Sequence, residues 1–343
     1  MYKIVRGVMF LLNAEKAHYV AMNGLKIICK FPFAKRIITN LYKQKNAEGI
    51  TLLGLQFTNK IGLGAGFDKN AKYLTELETL GFGHIEIGTV TPKAQAGNAK
   101  PRLFRLPADK GLINRMGFNN DGATIIAERL KIWRQKHLRS TLIIGGNIGK
   151  NKDTPNELAW QDYVLSYNAL HPYVHYFVIN VSSPNTPGLR ALQDKDSLRQ
   201  ILTQLQQQPQ QLAQKKPLLL KIAPDLLPTQ VDDVIDLYHE ISLDGLVVSN
   251  TTLNRASLSA EGEKLSATAG AGGLSGKPVA KLATNLINYI NTKSKGSVII
   301  IGSGGIATET DAKEKYNAGA SLLQVWTGFV YEGPGIVKKL ARI

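Results

Sequence analysis

The stretch YFVINVSSPNTPG, Tyr176–Gly188, sets an apolar, largely β-branched run against two serines, two asparagines and two prolines. A run this short and apolar throughout reads as a strand buried on both faces, as in a parallel sheet. The prolines stiffen the residues after it, so hydroxyls and amides stand on a rigid loop at the strand's C-terminal end.

Working outward, the same arrangement recurs. Apolar runs at Ile61–Ala65, His84–Gly88, Leu142–Gly146, Tyr176–Val181, Pro217–Ile222, Gly245–Val248, Val298–Ile301 and Leu322–Trp326 make eight strands. Helix-length segments separate most of them: Asn120–Arg134, Glu157–Leu170, Leu198–Leu212, Thr229–Ile241, Pro278–Asn291 and Glu309–Ala318. Eight buried strands alternating with helices predict an α/β chain folded as a (β/α)8 TIM barrel, with a doubly wound sheet as the alternative. The strand ends favour the barrel. They carry Asp68 and Lys69, Thr89, Asn147, Asn180 with Ser183, Lys221, Ser249 with Asn250 and Thr251, Gly304 with Gly305, and Trp326 with Thr327. Each alone has a plain reading as a turn, a cap or a snorkelling lysine. Together they predict one polar site at the C-terminal mouth of a barrel.

Three glycine-rich turns lie at that end: GAGGLSGKP (270–278), IGSGGIAT (301–308) and the start of WTGF (326–329). Loops after the last two strands of a barrel commonly cradle phosphate with backbone N–H groups, and glycine permits the close approach. The pattern is neither a P-loop nor a GxGxxG fingerprint. It points to a phosphate-bearing cofactor, with GLGAGFDKN (62–70) as a second backbone wall.

The 343 residues carry 42 Lys and Arg against 26 Asp and Glu, a net charge of +16. Residues 1–45 hold nine of the basic residues and only Glu15 in return, so half the excess sits there. In that segment Ile4, Val5, Val8, Met9, Leu11 and Leu12 predict a short apolar helix. Asn13 would cap a second helix with Ala17, Val20, Ala21, Leu25 and Ile28 on one face, stopped at Phe31-Pro32, and Ile37, Ile38 and Leu41 predict a third. Basic amphipathic helices suit an anionic membrane surface, or else a helical flap docked on the main domain. Nucleic acid is not expected as a partner, because no recognition motif accompanies the charge. The expected division is an extension over 1–45 and a barrel over 46–343.

Cys29 is the sole cysteine, which excludes an internal disulfide and a cysteine-based metal site, and no metal is expected. No apolar run approaches the roughly 18 residues of a membrane span. The start lacks a cleavable-signal or transit pattern, so a bacterial chain peripheral to the cytoplasmic face of the inner membrane is expected.

Taken together, GLGAGFDKN, IEIGTVTPKAQAGNAKPRLFRL, GLINRMGFNN, GNIGKNKDTP, NVSSPNTPGLR, KIAPDL, SNTTL, GGLSGKP, GSGGI and GASLLQVWTGF closely resemble the class 2, quinone-dependent dihydroorotate dehydrogenases over essentially the whole chain. The resemblance implies an FMN-containing barrel behind small N-terminal helices. It also implies oxidation of dihydroorotate to orotate in pyrimidine biosynthesis, with ubiquinone or menaquinone reoxidising the flavin.

By that resemblance Ser183 matches the catalytic base, and Asn180 and Asn185 match amides that bind the pyrimidine. Lys69, Asn114, Arg115, Met116, Gly117, Phe118, Asn250 and Thr251 match further substrate contacts. Ala65, Gly66, Lys69, Thr89, Asn147, Asn180 and Lys221 match flavin contacts, as do Ser249, Gly276, Gly305, Trp326 and Thr327. His18 and Arg105 match a quinone tunnel. Class 1 relatives use a loop cysteine as base, and Cys29 lies too far upstream to fill that role. Trp326 departs from the family's usual tyrosine, which implies a changed quinone preference. The competing readings are a fumarate- or nicotinamide-linked flavoenzyme and a basic, non-enzymatic binding module.

Overall fold

The structure is a computed structural model that describes residues 2–44, 47–208 and 215–343. The boundary expected at 45 and 46 and the end of the Leu198–Leu212 helix lie outside the described residues.

Three helices come first: α1 (Tyr2–Phe10), α2 (Ala14–Cys29) and α3 (Pro32–Tyr42). Asn13 caps α2 as its side chain accepts the Glu15 N–H at 3.0 Å, and Pro32 opens α3, where its missing N–H costs nothing. The strands come next as β1 (Ile50–Leu52), β2 (Leu55–Phe57), β3 (Ile61–Leu63), β4 (His84–Val90), β5 (Leu103–Leu106), β6 (Gly111–Asn114) and β7 (Ile143–Ile148). They continue as β8 (Tyr176–Asn180), β9 (Leu218–Ile222), β10 (Gly245–Val248), β11 (Gly273–Gly276), β12 (Ile300–Ser303) and β13 (Leu322–Val325).

All eight expected strands close a parallel barrel, in the order β3-β4-β7-β8-β9-β10-β12-β13 and back to β3. Alternation along each strand divides the apolar residues into two sets. Ile144, Phe177, Ile179, Leu220 and Leu323 belong to the large core under the helices. Their neighbours Ile143, Tyr176, Val178, Leu219, Val247, Ile301 and Leu322 form a separate cluster with Phe57. Ile50, Leu52, Leu53 and Leu55 of the β1–β2 hairpin pack against that cluster, so the hairpin stops the N-terminal end of the lumen.

At the other end, β5, β6 and β11 form an antiparallel sheet beside the mouth. Asn114 pairs with Leu103 on one side and Gly273 on the other, which fixes it at the rim.

The N-terminal helices dock on the barrel while leaving apolar side chains outside. Tyr2 donates to the Val330 carbonyl at 2.6 Å and Arg6 to that of Tyr331 at 2.7 Å. The burial of α2 differs from its expected face: Glu15, Ala17, Met22 and Cys29 are buried, whereas Val20, Ala21 and Ile28 are exposed. Amphipathic spacing finds an apolar face without saying which face meets protein. Of the twenty large apolar side chains exposed among the described residues, twelve lie on this segment, led by Leu11, Phe33 and Ile4. Such clustering marks an interaction surface. Among the described residues no helix is long and apolar enough to cross a membrane.

Candidate active site

The strand ends surround a cavity with about 1470 Å³ of empty space, part of it open to solvent. Its base is polar. Glu86 projects from β4 into the lumen, fully buried, and accepts from Asn147 Nδ2 at 2.7 Å, Gln324 Nε2 at 2.6 Å and Lys221 Nζ at 3.3 Å. These partners come from β7, β13 and β9, so one carboxylate ties the barrel together beneath the cavity. Three donors satisfy a charge that would be prohibitive if left unpaired. Lys221 has Glu86 as its side-chain partner, which leaves N–H donors for a ligand above it. Two buried oxygens at the cavity, Gln324 Oε1 and Thr251 Oγ1, have no hydrogen-bond partner among the described residues.

A second layer is built from amides. Thr89 Oγ1 donates to Asn147 Oδ1 at 2.6 Å, and Asn180 Nδ2 donates to Thr89 Oγ1 at 2.8 Å. Asn185 Nδ2 donates to Asn114 Oδ1 at 2.9 Å, and Asn250 Nδ2 to Ser182 Oγ at 2.9 Å. Ser183 is buried on the same loop, its Oγ accepting the Asn185 N–H at 3.3 Å. Lys69 enters from the β3 side and donates to Asn119 Oδ1 at 2.6 Å. Desolvation in the cavity, with Arg102 adding to it and Glu15 opposing, pulls the Lys69 ammonium down to about 7.

Backbone closes the far wall. Gly276 has φ +92°, and a Cβ there would fall 2.3 Å from the Lys110 carbonyl oxygen; one on Gly305 would fall 2.3 Å from the Ala280 Cα. Only glycine allows these turns to approach the cavity. Gly304, Gly328 and Thr327 line the same wall.

Towards α2 the cavity becomes aromatic. His18 sits edge-on to Phe67 at 4.6 Å, and Phe67 meets Trp326 at 5.6 Å. Burial, and then the charge of Lys69, pulls His18 down to about 4, so its imidazole is neutral near pH 7.

Most residues singled out in the sequence converge here. Lys69, Asn114, Met116, Gly117, Phe118, Asn180, Ser183, Asn185, Asn250 and Thr251 line the cavity, and so do Ala65, Gly66, Thr89, Lys221, Ser249, Gly276, Gly305, Trp326, Thr327 and His18. Three stand apart. Asn147 is fully buried behind Thr89 and Glu86. Arg115 donates to the Pro101 carbonyl, 2.9 Å from Nη2, and lies over Phe104. Arg105 donates to the Leu12 carbonyl at 2.7 Å and lies 4.4 Å from the Phe10 ring centre, pinning the end of α1.

Sequence reading missed Glu86, Asn119 and Glu15 with its partner Arg102. Glu86 had a signal: in HIEIG, polar residues alternate inside an otherwise buried strand, and both point into the lumen.

The family model for dihydroorotate dehydrogenase matches residues 49–342. A Christiangramia forsetii protein named dihydroorotate dehydrogenase (quinone) is 48% identical over 99% of this chain and 97% of its own length. One from Myxococcus xanthus with the same name is 46% identical, covering 98% of this chain and 91% of its own. The crystal structure of DHODH from Eimeria tenella in complex with ferulenol superposes with a TM-score of 0.82 at 36% identity, over 91% of this chain and 90% of that one. By sequence along nearly its full length, and by its barrel, this chain belongs to the dihydroorotate dehydrogenase family.

Proposed function

We propose that this chain oxidises dihydroorotate to orotate, a step of pyrimidine biosynthesis, with FMN as the bound flavin and a quinone as terminal acceptor. The observation that carries the reading is one cavity joining a buried serine among four asparagine amides and a lysine to an aromatic opening under α2.

The residues fit a flavin mononucleotide. Gly276, Gly304, Gly305 and Thr327 suit its phosphate, with backbone meeting the anion where a side chain would clash. Lys221, Asn180 and Thr89, with Gln324 Oε1, which has no hydrogen-bond partner among the described residues, suit the polar edge of the ring, and Ala65 and Gly66 a flat face. When bound, the flavin supplies hydride acceptance and onward electron transfer.

Around it the chain's own groups have separable tasks. Asn114, Asn180, Asn185 and Asn250 present donors and acceptors matching the N–H and C=O groups of a dihydropyrimidine ring. Protonated Lys69 attracts the substrate carboxylate. Ser183 Oγ takes the proton from C5 of the substrate, and a serine does this only if its own proton moves on. Neutral His18, Phe67, Tyr73 and Trp326 suit a quinone head group entering beneath α2.

The exposed apolar and basic faces of α1–α3 support peripheral attachment to an anionic membrane, at the cytoplasmic face of a bacterial inner membrane. On this reading residues 1–45 form the membrane and quinone-access extension and 46–343 the catalytic barrel. Nucleic acid has no assigned role.

Anaerobic stopped-flow absorbance tests the chemistry. Dihydroorotate is expected to bleach the flavin and a soluble quinone to restore it. A bound flavin that dihydroorotate leaves oxidised would reject the substrate. Flotation with anionic vesicles tests the attachment, and equal flotation without residues 1–45 would reject the extension as the anchor.

A further inference from the structure

The N-terminal extension does more than lie beside the quinone opening. Glu15, in the first turn of α2, is buried and faces Arg102, which precedes β5. Arg102 Nη2 donates to Glu15 Oε1 at 2.8 Å and Nε to Oε2 at 3.0 Å, and each side chain is only 7% exposed. This bidentate, buried pair holds far better than exposed ion pairs. Burial alone would raise the Glu15 carboxyl, but the hydrogen bond and charge of Arg102, with Lys100 and Lys69, hold it below the usual carboxylate range.

Arg102 has a second task. Its Nη1 donates to the carbonyls of Ala96 at 2.6 Å and Asn98 at 3.0 Å, fixing the turn that carries Asn98. Asn98 Nδ2 then donates to the Arg115 carbonyl at 3.0 Å and the Asn185 carbonyl at 3.2 Å. One of those carbonyls belongs to the segment after Asn114, the other to the loop of Ser183. Their side chains, Asn114 and Asn185, are hydrogen-bonded to each other across the cavity. A continuous chain of contacts therefore runs from α2 to the two segments that face the substrate.

We infer that Glu15 is a positioning residue for the dihydroorotate site: through Arg102 and Asn98 it holds the Asn114 and Ser183 segments in register. The inference deepens the proposed function and rests on it. Its consequence is that the extension completes the substrate site of the first half-reaction, and does not serve only the quinone.

Glu15 and Lys69 also line the same cavity, which gives the Glu15 charge a signature of its own. The charged and titratable groups facing Lys69 are Arg102 from the barrel and Glu15 and His18 from α2. Asp68, on its own loop, is turned to the N–H groups of Lys72 and Tyr73. Lys69 binds a carboxylate best while protonated, so affinity is full below about 7 and falls as pH rises through that value. Removing the Glu15 charge takes away the influence that raises Lys69, which moves this fall to lower pH.

The test uses the full-length, flavin-loaded protein as wild type, Glu15→Gln and Asn98→Ala. Dihydroorotate dependence of anaerobic flavin reduction is measured from pH 5.5 to 8.5, and flavin reoxidation by a short-chain ubiquinone analogue is measured separately. Both variants are expected to raise the dihydroorotate Kd about 5- to 50-fold, the usual range of coupling between sites, and to leave reoxidation unchanged. Only Glu15→Gln is expected to shift the pH at which affinity falls. Asn98→Ala breaks the relay without touching α2, so it keeps the test open if Glu15→Gln fails to fold. Wild-type substrate affinity in Asn98→Ala, or a defect of Glu15→Gln confined to reoxidation, overturns the inference. Wild-type flavin that dihydroorotate does not reduce overturns the proposed function itself, and with it the role given to Glu15.

Discussion

The two ends of the barrel are built from the same eight strands and do opposite things. At the N-terminal end, Tyr176, Val178, Leu219, Val247, Ile301 and Leu322 fill the lumen and the β1–β2 hairpin seals it with Phe57. Further along the strands, Glu86, Asn147, Asn180, Lys221 and Gln324 replace apolar packing with a hydrogen-bonded network under an open cavity. Stability and chemistry are thus separated along the barrel axis, which lets the mouth carry buried charge while the floor supplies the packing.

The sharpest way to break that division is from below. Phe57 is completely buried against the lumen cluster, so Phe57→Ala removes a ring and leaves a cavity, at a cost of about 3–5 kcal/mol. Denaturant unfolding should register the whole loss, and the dihydroorotate Kd of the folded protein should not move. A raised Kd would mean that the floor tunes the mouth. The converse change is Ser183→Ala at the mouth, expected to slow flavin reduction by roughly 10² or more, the usual scale of general-base catalysis. Thermal unfolding of that variant should match wild type, and an unaltered reduction rate would remove Ser183 from the mechanism.

Legibility in the sequence divides along the same axis. The eight strands were readable because a short, wholly apolar run between helix-length segments admits few other structures, and their start or end shifted by only a few residues. Ser183, Asn185 and Lys221 were readable because polar residues at strand C-termini converge in a barrel. Glu86 was not read, since one charge inside a buried run gains meaning only when Asn147, Lys221 and Gln324 arrive from other strands. The Glu15–Arg102 pair spans 87 positions, beyond any local pattern. Arg105 and Arg115 were placed by motif, yet a long side chain's direction is decided by the carbonyls it reaches, here those of Leu12 and Pro101.

One residue blurs the boundary between the ends. His84 lies in the lumen beside Phe57, fully buried, with neither ring nitrogen hydrogen-bonded among the described residues. Burial pulls its pKa down to about 3 from 6.5, so the folded chain holds it neutral where the unfolded chain would protonate it. Stability is then lost as pH falls from about 6.5 towards 3, by on the order of 2 kcal/mol from this group at pH 5. His175, also held near 3, adds to the same trend, which makes the difference between proteins the useful quantity. His84→Leu should flatten the loss of Tm between pH 7 and pH 5 relative to wild type. An identical slope would place the acid sensitivity elsewhere and leave the floor indifferent to charge.

The smallest expected effect falls at the mouth, where the chain departs from its relatives. Trp326 follows β13, lines the cavity and meets Phe67 edge-on, in the place where the family resemblance leads one to expect tyrosine. Both side chains offer a donor, but the indole N–H leaves from the side of a wider ring and cannot accept in return. On the proposed function, a quinone carbonyl that a phenol would meet head-on is therefore met from another angle, while the Asn114 amide on β6 and the Asn185 amide after β8 are untouched. Trp326→Tyr should change the ratio of kcat/KM values between two quinones of different head-group size by roughly 2- to 10-fold, the worth of one net hydrogen bond. The same variant should bind dihydroorotate as wild type does. A shift in substrate affinity with no change in quinone preference would move Trp326 from the quinone side of the cavity to the substrate side, and would show that the mouth does not separate its two ligands as the barrel separates its two ends.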